Sequence, residues 1–174
     1  MSVALVSLAL LAFIWIGYPT LMWVLARLRP LPRTRWQGDL PGVTIVVATR
    51  ESAEVIQRRV ADLRRSAYPA DRTEIVVVID AHADPEIERS VGAIEGVRVL
   101  RGPRPGKAAS VNAGVAAARG EVVVFADSGQ QFAPGTIGAL VDALADERVG
   151  AASGRLELHA GRGPRSLVEL YWAI

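Results

Sequence analysis

From Val3 to Ala26 the chain carries no charged side chain, and only Ser7, Gly17, Tyr18, Pro19 and Thr20 interrupt its apolar character. About 20 apolar residues cross a bilayer core as a helix, whose backbone satisfies its own hydrogen bonds there. A run of this length without a polar face does not suit a helix that merely covers a soluble core. A secretory leader fits less well, because no basic flank precedes the run and no small-residue cleavage pattern follows it. Trp15 and Tyr18 lie in mid-segment, so aromatic belts do not mark its ends.

Arginine sets the direction of the span. Arg27, Arg29, Arg33 and Arg35 follow the apolar run, whereas the N-terminal flank offers only the α-amino group. Basic flanks stay on the cytoplasmic side. The chain is therefore expected in the cell membrane as a single-pass protein, N-terminus outside and domain cytoplasmic. Residues 1–28 read as the transmembrane helix, 29–42 as a basic juxtamembrane linker with Pro30 and Pro32, and 43–174 as the folded domain. A formal net charge of +2, with the basic residues in no aromatic-interleaved stripe, argues against nucleic acid as a partner. The absence of cysteine excludes disulfides and thiolate metal sites.

After Val43 the pattern changes to short apolar runs separated by amphipathic stretches. Val43–Ala48 and Glu74–Ile79 are β-branched runs suited to buried strands, and Val97–Leu100 and Val122–Phe125 repeat the pattern. Between them, Ser52 opens a helix with Val55, Ile56, Val60, Leu63 and Ala67 on one face, and Asp84 with Pro85 opens a shorter one. An Ala-rich helix from Ala108 to Ala118 is closed by Gly120, and Pro134 opens another that runs to about Ala145. Continuous apolar strands alternating with helices mean an α/β fold, a mostly parallel sheet covered on both faces.

Ligands of such sheets sit beyond the carboxyl ends of the strands, where the strand order reverses. Here those ends carry Thr49, Arg50 and Glu51; Asp80 and Asp84; Arg101, Arg104 and Lys107; and Asp127. Carboxylates with a cationic loop between them suit a ligand that has hydroxyl or base edges and phosphates. Singly, each residue is equally well explained as a polar loop position, and Asp84 as a helix cap. Their joint placement is what points to a ligand. No glycine-rich dinucleotide turn follows the first strand, and Gly102–Ala108 has the wrong glycine spacing and no Ser/Thr for a phosphate loop. His82 and His159 have no partner at metal or triad spacing.

These segments resemble the A-type fold of family 2 glycosyltransferases, in particular the membrane-bound processive group of cellulose, hyaluronan and poly-N-acetylglucosamine synthases. Val43–Glu51 is similar to the opening strand, Ile75–Asp84 to the strand ending in an Asp-Gly-Ser-Thr-Asp run, Gly106–Gly114 to the Gly-Lys segment, and Gly120–Asp127 to the strand leading into an Asp-x-Asp metal motif. The resemblance implies nucleotide-sugar binding by Glu51, Asp80, Lys107 and Asp127, with Asp80 on the uracil, Lys107 near the phosphates, Asp127 on a magnesium or manganese ion, and Asn112 holding the turn. It implies an inverting transfer from a uridine diphosphate sugar to a glycan or lipid acceptor, in polysaccharide biosynthesis of the cell envelope.

Two departures from the family pattern stand out. Gly129 replaces the second carboxylate of Asp-x-Asp, so the metal is expected to be held weakly, with Ser128 or Gln130 as substitute oxygens. The family's general base and Gln-x-x-Arg-Trp motif would follow Ile174, so no catalytic base is assigned in this chain; of the carboxylates after Gly135, only Glu157 is a faint candidate. Ser166–Glu169 has the form of a capping box and the chain stops shortly after it. The expectation is a truncated product, a fragmentary gene product or a split enzyme whose partner chain supplies the missing half. The competing expectation is a degenerate, non-catalytic scaffold of the same fold, anchored in the membrane.

Overall fold

A computed structural model of the chain describes residues 3–29 and 34–156. Pro30–Arg33 and everything from Glu157 onward, including His159 and the Ser166–Glu169 capping box, lie outside the described residues. The chain forms two compact units, Met1–Arg33 and Thr34–Ile174.

The first unit is an apolar helix from Val3 to Leu28, long and apolar enough to cross a membrane, with none of its residues buried. At about 1.5 Å per residue it exceeds the roughly 30 Å of a bilayer core. It comprises α1 (Val3–Ala12), a π-helical turn (Phe13–Gly17) and α2 (Tyr18–Leu28). The turn widens because Pro19 has no N–H and its ring crowds the preceding turn. Tyr18 N–H then reaches back to Phe13 O, and Thr20 Oγ1 donates to Ile16 O at 2.6 Å.

The second unit is a four-stranded, wholly parallel sheet in the order β3-β2-β1-β4, made of β1 (Val43–Thr49), β2 (Thr73–Ile79), β3 (Val97–Arg101) and β4 (Val122–Phe125). β1 is buried along its whole length and pairs on both sides, Val43 with Thr73 and with Val122. Its side chains alternate between two layers, as the two-residue period of a strand requires. Val43, Ile45 and Val47 join Ile75, Val77, Ile79, Val122 and Val124 beneath α3 (Ala53–Leu63), α4 (Pro85–Gly92) and α6 (Thr136–Ala143), which contribute Ile56, Val60, Leu63, Val91, Ile137 and Val141. On the other face Val46, Val76 and Val78 meet Ala113 of α5 (Lys107–Ala117). This second layer is thin, and Phe125 is left exposed on β4.

The small residues of α5 follow from how close it lies to the sheet: a Cβ on Gly114 would overlap the Val46 side chain. Several local expectations need correction. Ser52 stands at the cap position of α3 but makes no side-chain cap hydrogen bond; the helix ends at Leu63, so Ala67 is not on its face. Asp84 caps α4 as expected, its carboxylate accepting from Glu86 N–H at 2.8 Å. Gly120 does not close α5 in a left-handed turn, since positive φ occurs only at Gly38, Gly96 and Gly106 among the described residues. Gly120 instead lets two backbones touch, because a Cβ there would lie 2.6 Å from both Gly42 O and Thr44 N.

That contact belongs to a polar clamp at the amino ends of the strands. Buried Thr44 donates to Glu74 Oε2 at 2.9 Å, and its hydroxyl accepts from Gly120 N–H at 2.8 Å and Arg119 N–H at 3.1 Å. Gly120→Ala should therefore destabilise the domain by about 1–3 kcal/mol through overpacking. Gly138→Ala, where a Cβ meets nothing within 4 Å on α6, should gain up to about 1 kcal/mol of helix propensity. Thermal melts of the full chain in detergent check both, and a Gly120→Ala protein as stable as the native one would overturn the close-approach account.

Candidate functional site

The chain runs from β1 outward through β2 to β3 and then returns to place β4 on the far side of β1, so the strand order reverses between β1 and β4. Loops leaving neighbouring strands diverge at such a point and open a crevice. The expected residues all lie at that end of the sheet. Glu51 follows β1, exposed, and its N–H donates to Thr49 Oγ1 at 3.0 Å. Asp80 follows β2, where its own N–H donates to Thr49 O at 2.9 Å.

Asp80 joins two loops. Its carboxylate accepts from His82 N–H at 2.9 Å and from Gly106 N–H at 2.8 Å. Those two amide donors hold its pKa below the usual carboxylate value. A lowered folded pKa means the link is intact above the ordinary carboxylate range and is lost only as the pH falls below it. Gly106 has φ +108°, a conformation that glycine adopts without strain. That turn delivers Lys107 as the first residue of α5. Lys107 Nζ then reaches Asp127 Oδ1 after β4 at 2.9 Å, with both side chains largely in solvent. A single polar chain, Asp80–Gly106–Lys107–Asp127, thus ties together the segments that follow β2, β3 and β4. Glu51, exposed after β1, makes no side-chain bond to any of these groups among the described residues.

Lys107 is the only lysine in a chain whose other basic groups are arginines. A compact ammonium with rotatable donors can switch partners more readily than a planar guanidinium fork. The rest of the expected cationic loop divides. Arg104 is exposed, whereas Arg101 turns back to Glu88 at 2.6 Å and to the carbonyls of Ala81 and Ala83, both at 3.2 Å. Arg101 therefore braces the loop after Asp80. Asn112 is exposed on α5 and has no side-chain hydrogen bond among the described residues, so it does not hold the Gly-Lys turn. His82 contributes its backbone amide, as an ordinary loop residue does.

Among the described residues no three His, Asp or Glu side chains cluster as a protein-only metal site would require. Asp127 alone offers carboxylate oxygens after β4, which fits a hard divalent cation only where a ligand's phosphate oxygens complete its shell. Beside Gly129 there is open space. Among the described residues Gln130 meets Asp127 through its backbone alone, N–H to O at 3.4 Å. A groove of about 1430 Å³ runs along the outer side of β4, lined by Val123, Phe125, Phe132 and Leu156 among others, but not by Asp80, Lys107 or Asp127. The sequence reading passed over one pair beneath the Asp127 loop: Arg59 and Asp62 of α3, both buried. Two charged residues on the stripe of Ile56, Val60 and Leu63 were the available signal.

The chain belongs to the family described as glycosyl transferase family 2, whose model matches residues 44–166. Among solved structures it is similar to a mannosyltransferase of Pyrobaculum calidifontis in complex with GDP-Man and Mn2+, at 28% identity and a TM-score of 0.67, over 82% of this chain and 44% of that one. It also aligns with S. aureus TarS in complex with UDP-GlcNAc, at 26% identity and a TM-score of 0.45, over 55% of this chain and 28% of that one. This chain therefore spans less than half the length of these proteins.

The lone lysine makes the Lys107–Asp127 pair measurable. Acylation of the full chain should modify Lys107 and the N-terminal amine. Asp127→Ala should speed labelling of Lys107 by up to about fivefold at low salt, the worth of an exposed ion pair, and by less in concentrated salt. A rate at Lys107 that ignores the substitution would show that the pair does not form in solution.

Proposed function

We propose that the crevice between β1 and β4 holds a nucleoside diphosphate sugar, and that the protein containing this domain transfers the sugar to a glycan or lipid acceptor. The observation that carries the reading is the Asp80–Gly106–Lys107–Asp127 chain, which sets a pre-placed carboxylate, an ammonium and a second carboxylate across the ends of three strands. In this reading Asp80 and Glu51 hold the nucleoside, with uridine as the base, and Lys107 leaves Asp127 to meet the diphosphate. Asp127 then shares a magnesium or manganese ion with the phosphate oxygens, weakly because Gly129 supplies no carboxylate. The Pyrobaculum mannosyltransferase, in complex with GDP-Man and Mn2+, supports a nucleotide sugar and a divalent metal, and it makes guanosine the base to test against uridine. Such a metal would neutralise charge on the departing diphosphate. The apolar Val3–Leu28 helix supports attachment to a membrane, and the arginines that follow it support a domain on the cytoplasmic side; in this reading the enzyme is of the membrane-bound processive type.

One observation favours a non-catalytic scaffold: Lys107 already neutralises the single carboxylate after β4, beside a glycine where a second carboxylate would serve a metal. Nucleotide binding separates the two readings. Calorimetry on the full chain in detergent should show uridine diphosphate binding more tightly than guanosine diphosphate, and more tightly still with manganese. Asp80→Ala should weaken it about tenfold or more, the worth of hydrogen bonds to a charged group. No heat with either nucleotide would leave the scaffold; equal affinity after the substitution would remove Asp80 from the site.

Orientation is tested separately. The chain has no native cysteine, so single cysteines at Ser2 and Ser90 report location without interference. An impermeant thiol reagent on intact cells should label Ser2→Cys and spare Ser90→Cys; the reverse pattern would invert the proposed topology.

A further inference from the structure

The loop that carries Asp127 is held at both ends. It starts where Ala126 N–H donates to Val46 O at 3.0 Å. At its far end Phe132 N–H donates to Asp62 Oδ2 at 3.2 Å, and the Phe132 ring lies against the Arg59 guanidinium, 4.3 Å from ring centroid to the guanidinium carbon. Two residues later Pro134 O accepts from Ala67 N–H at 2.8 Å, just beyond α3. Between these anchors Asp127, Gly129, Gln130 and Gln131 are exposed. Where Asp127 presents its carboxylate is thus set by few contacts.

Arg59 and Asp62 are 2% and 7% exposed, and Arg59 Nη1 bonds to Asp62 Oδ2. Arg59 Nε and Nη2 are enclosed without an acceptor among the described residues. A buried ion pair is a poor stabiliser compared with apolar side chains of similar volume, because both charges lose their hydration. Stability alone therefore does not explain two charges on the apolar stripe of α3. What the pair does make is specific: Asp62, bonded also to the exposed Arg65 at 3.0 Å, accepts the Phe132 N–H, and Arg59 stacks on the ring of that same residue. The guanidinium also feels the other end of the loop. Burial lowers its pKa, while the charges of Asp62 and then of Asp127 raise it.

We propose that the buried Arg59–Asp62 pair is a positioning device for the Asp127 loop, gripping Phe132 so that the carboxylate stands where a metal-bound diphosphate can use it. Neither residue touches substrate. The inference rests on reading Asp127 as part of the nucleotide site, but its geometric half can be measured without any ligand.

The test uses the full chain in detergent and Arg59→Met, which keeps the bulk and removes the charge, the fork and the grip. Hydrogen exchange should speed roughly tenfold or more at the two bonded amides of the loop, Phe132 above all and Gln130, while the bonded Gly106 amide keeps its native rate. The gain in uridine diphosphate affinity brought by manganese should shrink by about tenfold, while affinity for the nucleotide without metal stays unchanged. Phe132→Leu, which removes only the stacked ring, should move both readouts in the same direction by less, and it replaces Arg59→Met if that protein does not fold. Unchanged exchange in the loop, acceleration spread evenly over the domain, or a loosened loop with the manganese gain intact would each overturn the proposal. If the native chain binds no nucleotide, the proposed function fails and the exchange pattern alone decides whether the pair positions the loop.

Discussion

Everything in the folded unit takes its position from the double pairing of β1. A strand that is hydrogen-bonded on both edges and covered on both faces can only be apolar, and Val43–Thr49 meets that demand with Thr44 and Thr49 as its polar exceptions. Each exception has a physical task. Thr44 spends its hydroxyl on Glu74 and on the Arg119–Gly120 turn, closing the amino end of the sheet. Thr49 caps the strand where it opens into the crevice, accepting from Glu51 N–H.

Because β1 has β2 on one side and β4 on the other, the chain must change direction once, and that change shapes the candidate site. The loops after β2 and β3 belong to one winding direction and the loop after β4 to the other. Contacts between them cannot come from neighbouring sequence. Asp80 accepting from Gly106 N–H, and Lys107 bonding Asp127, are the long-range bonds that knit these loops into one surface. The surface is polar and solvated, so its ion pair contributes little stability. Membership of glycosyl transferase family 2 gives that surface its chemical context.

β1 and β2 were legible because a buried parallel strand leaves an apolar run, and the shorter, less buried β3 and β4 through their β-branched residues; β4 matches its expected bounds and β1 to β3 match within a residue. Asp84 was legible as a cap because Asp followed by Pro carries its own local chemistry. Misreadings arose where the deciding partner is distant. Gly120 has the position of a helix-closing glycine, yet its constraint is the backbone of Gly42–Thr44. Arg101 shares a loop with Lys107 but answers to Glu88 and to the carbonyls of Ala81 and Ala83. Asn112 follows the Gly-Lys turn closely in sequence, yet it stands exposed on a helix.

By itself the sequence determined the class of fold, the apolar N-terminal helix and the strand ends at which chemistry-bearing residues gather, because hydrophobic period and turn chemistry are local properties. Only the tertiary structure decided which of those residues meet. It paired Lys107 with Asp127, bound Asp80 to Gly106, withdrew Arg101 from the crevice and placed the charged pair of α3 under the Asp127 loop. The reason is geometric: a side chain's partner is set by strand order and helix cover, and both are fixed by residues far away along the chain.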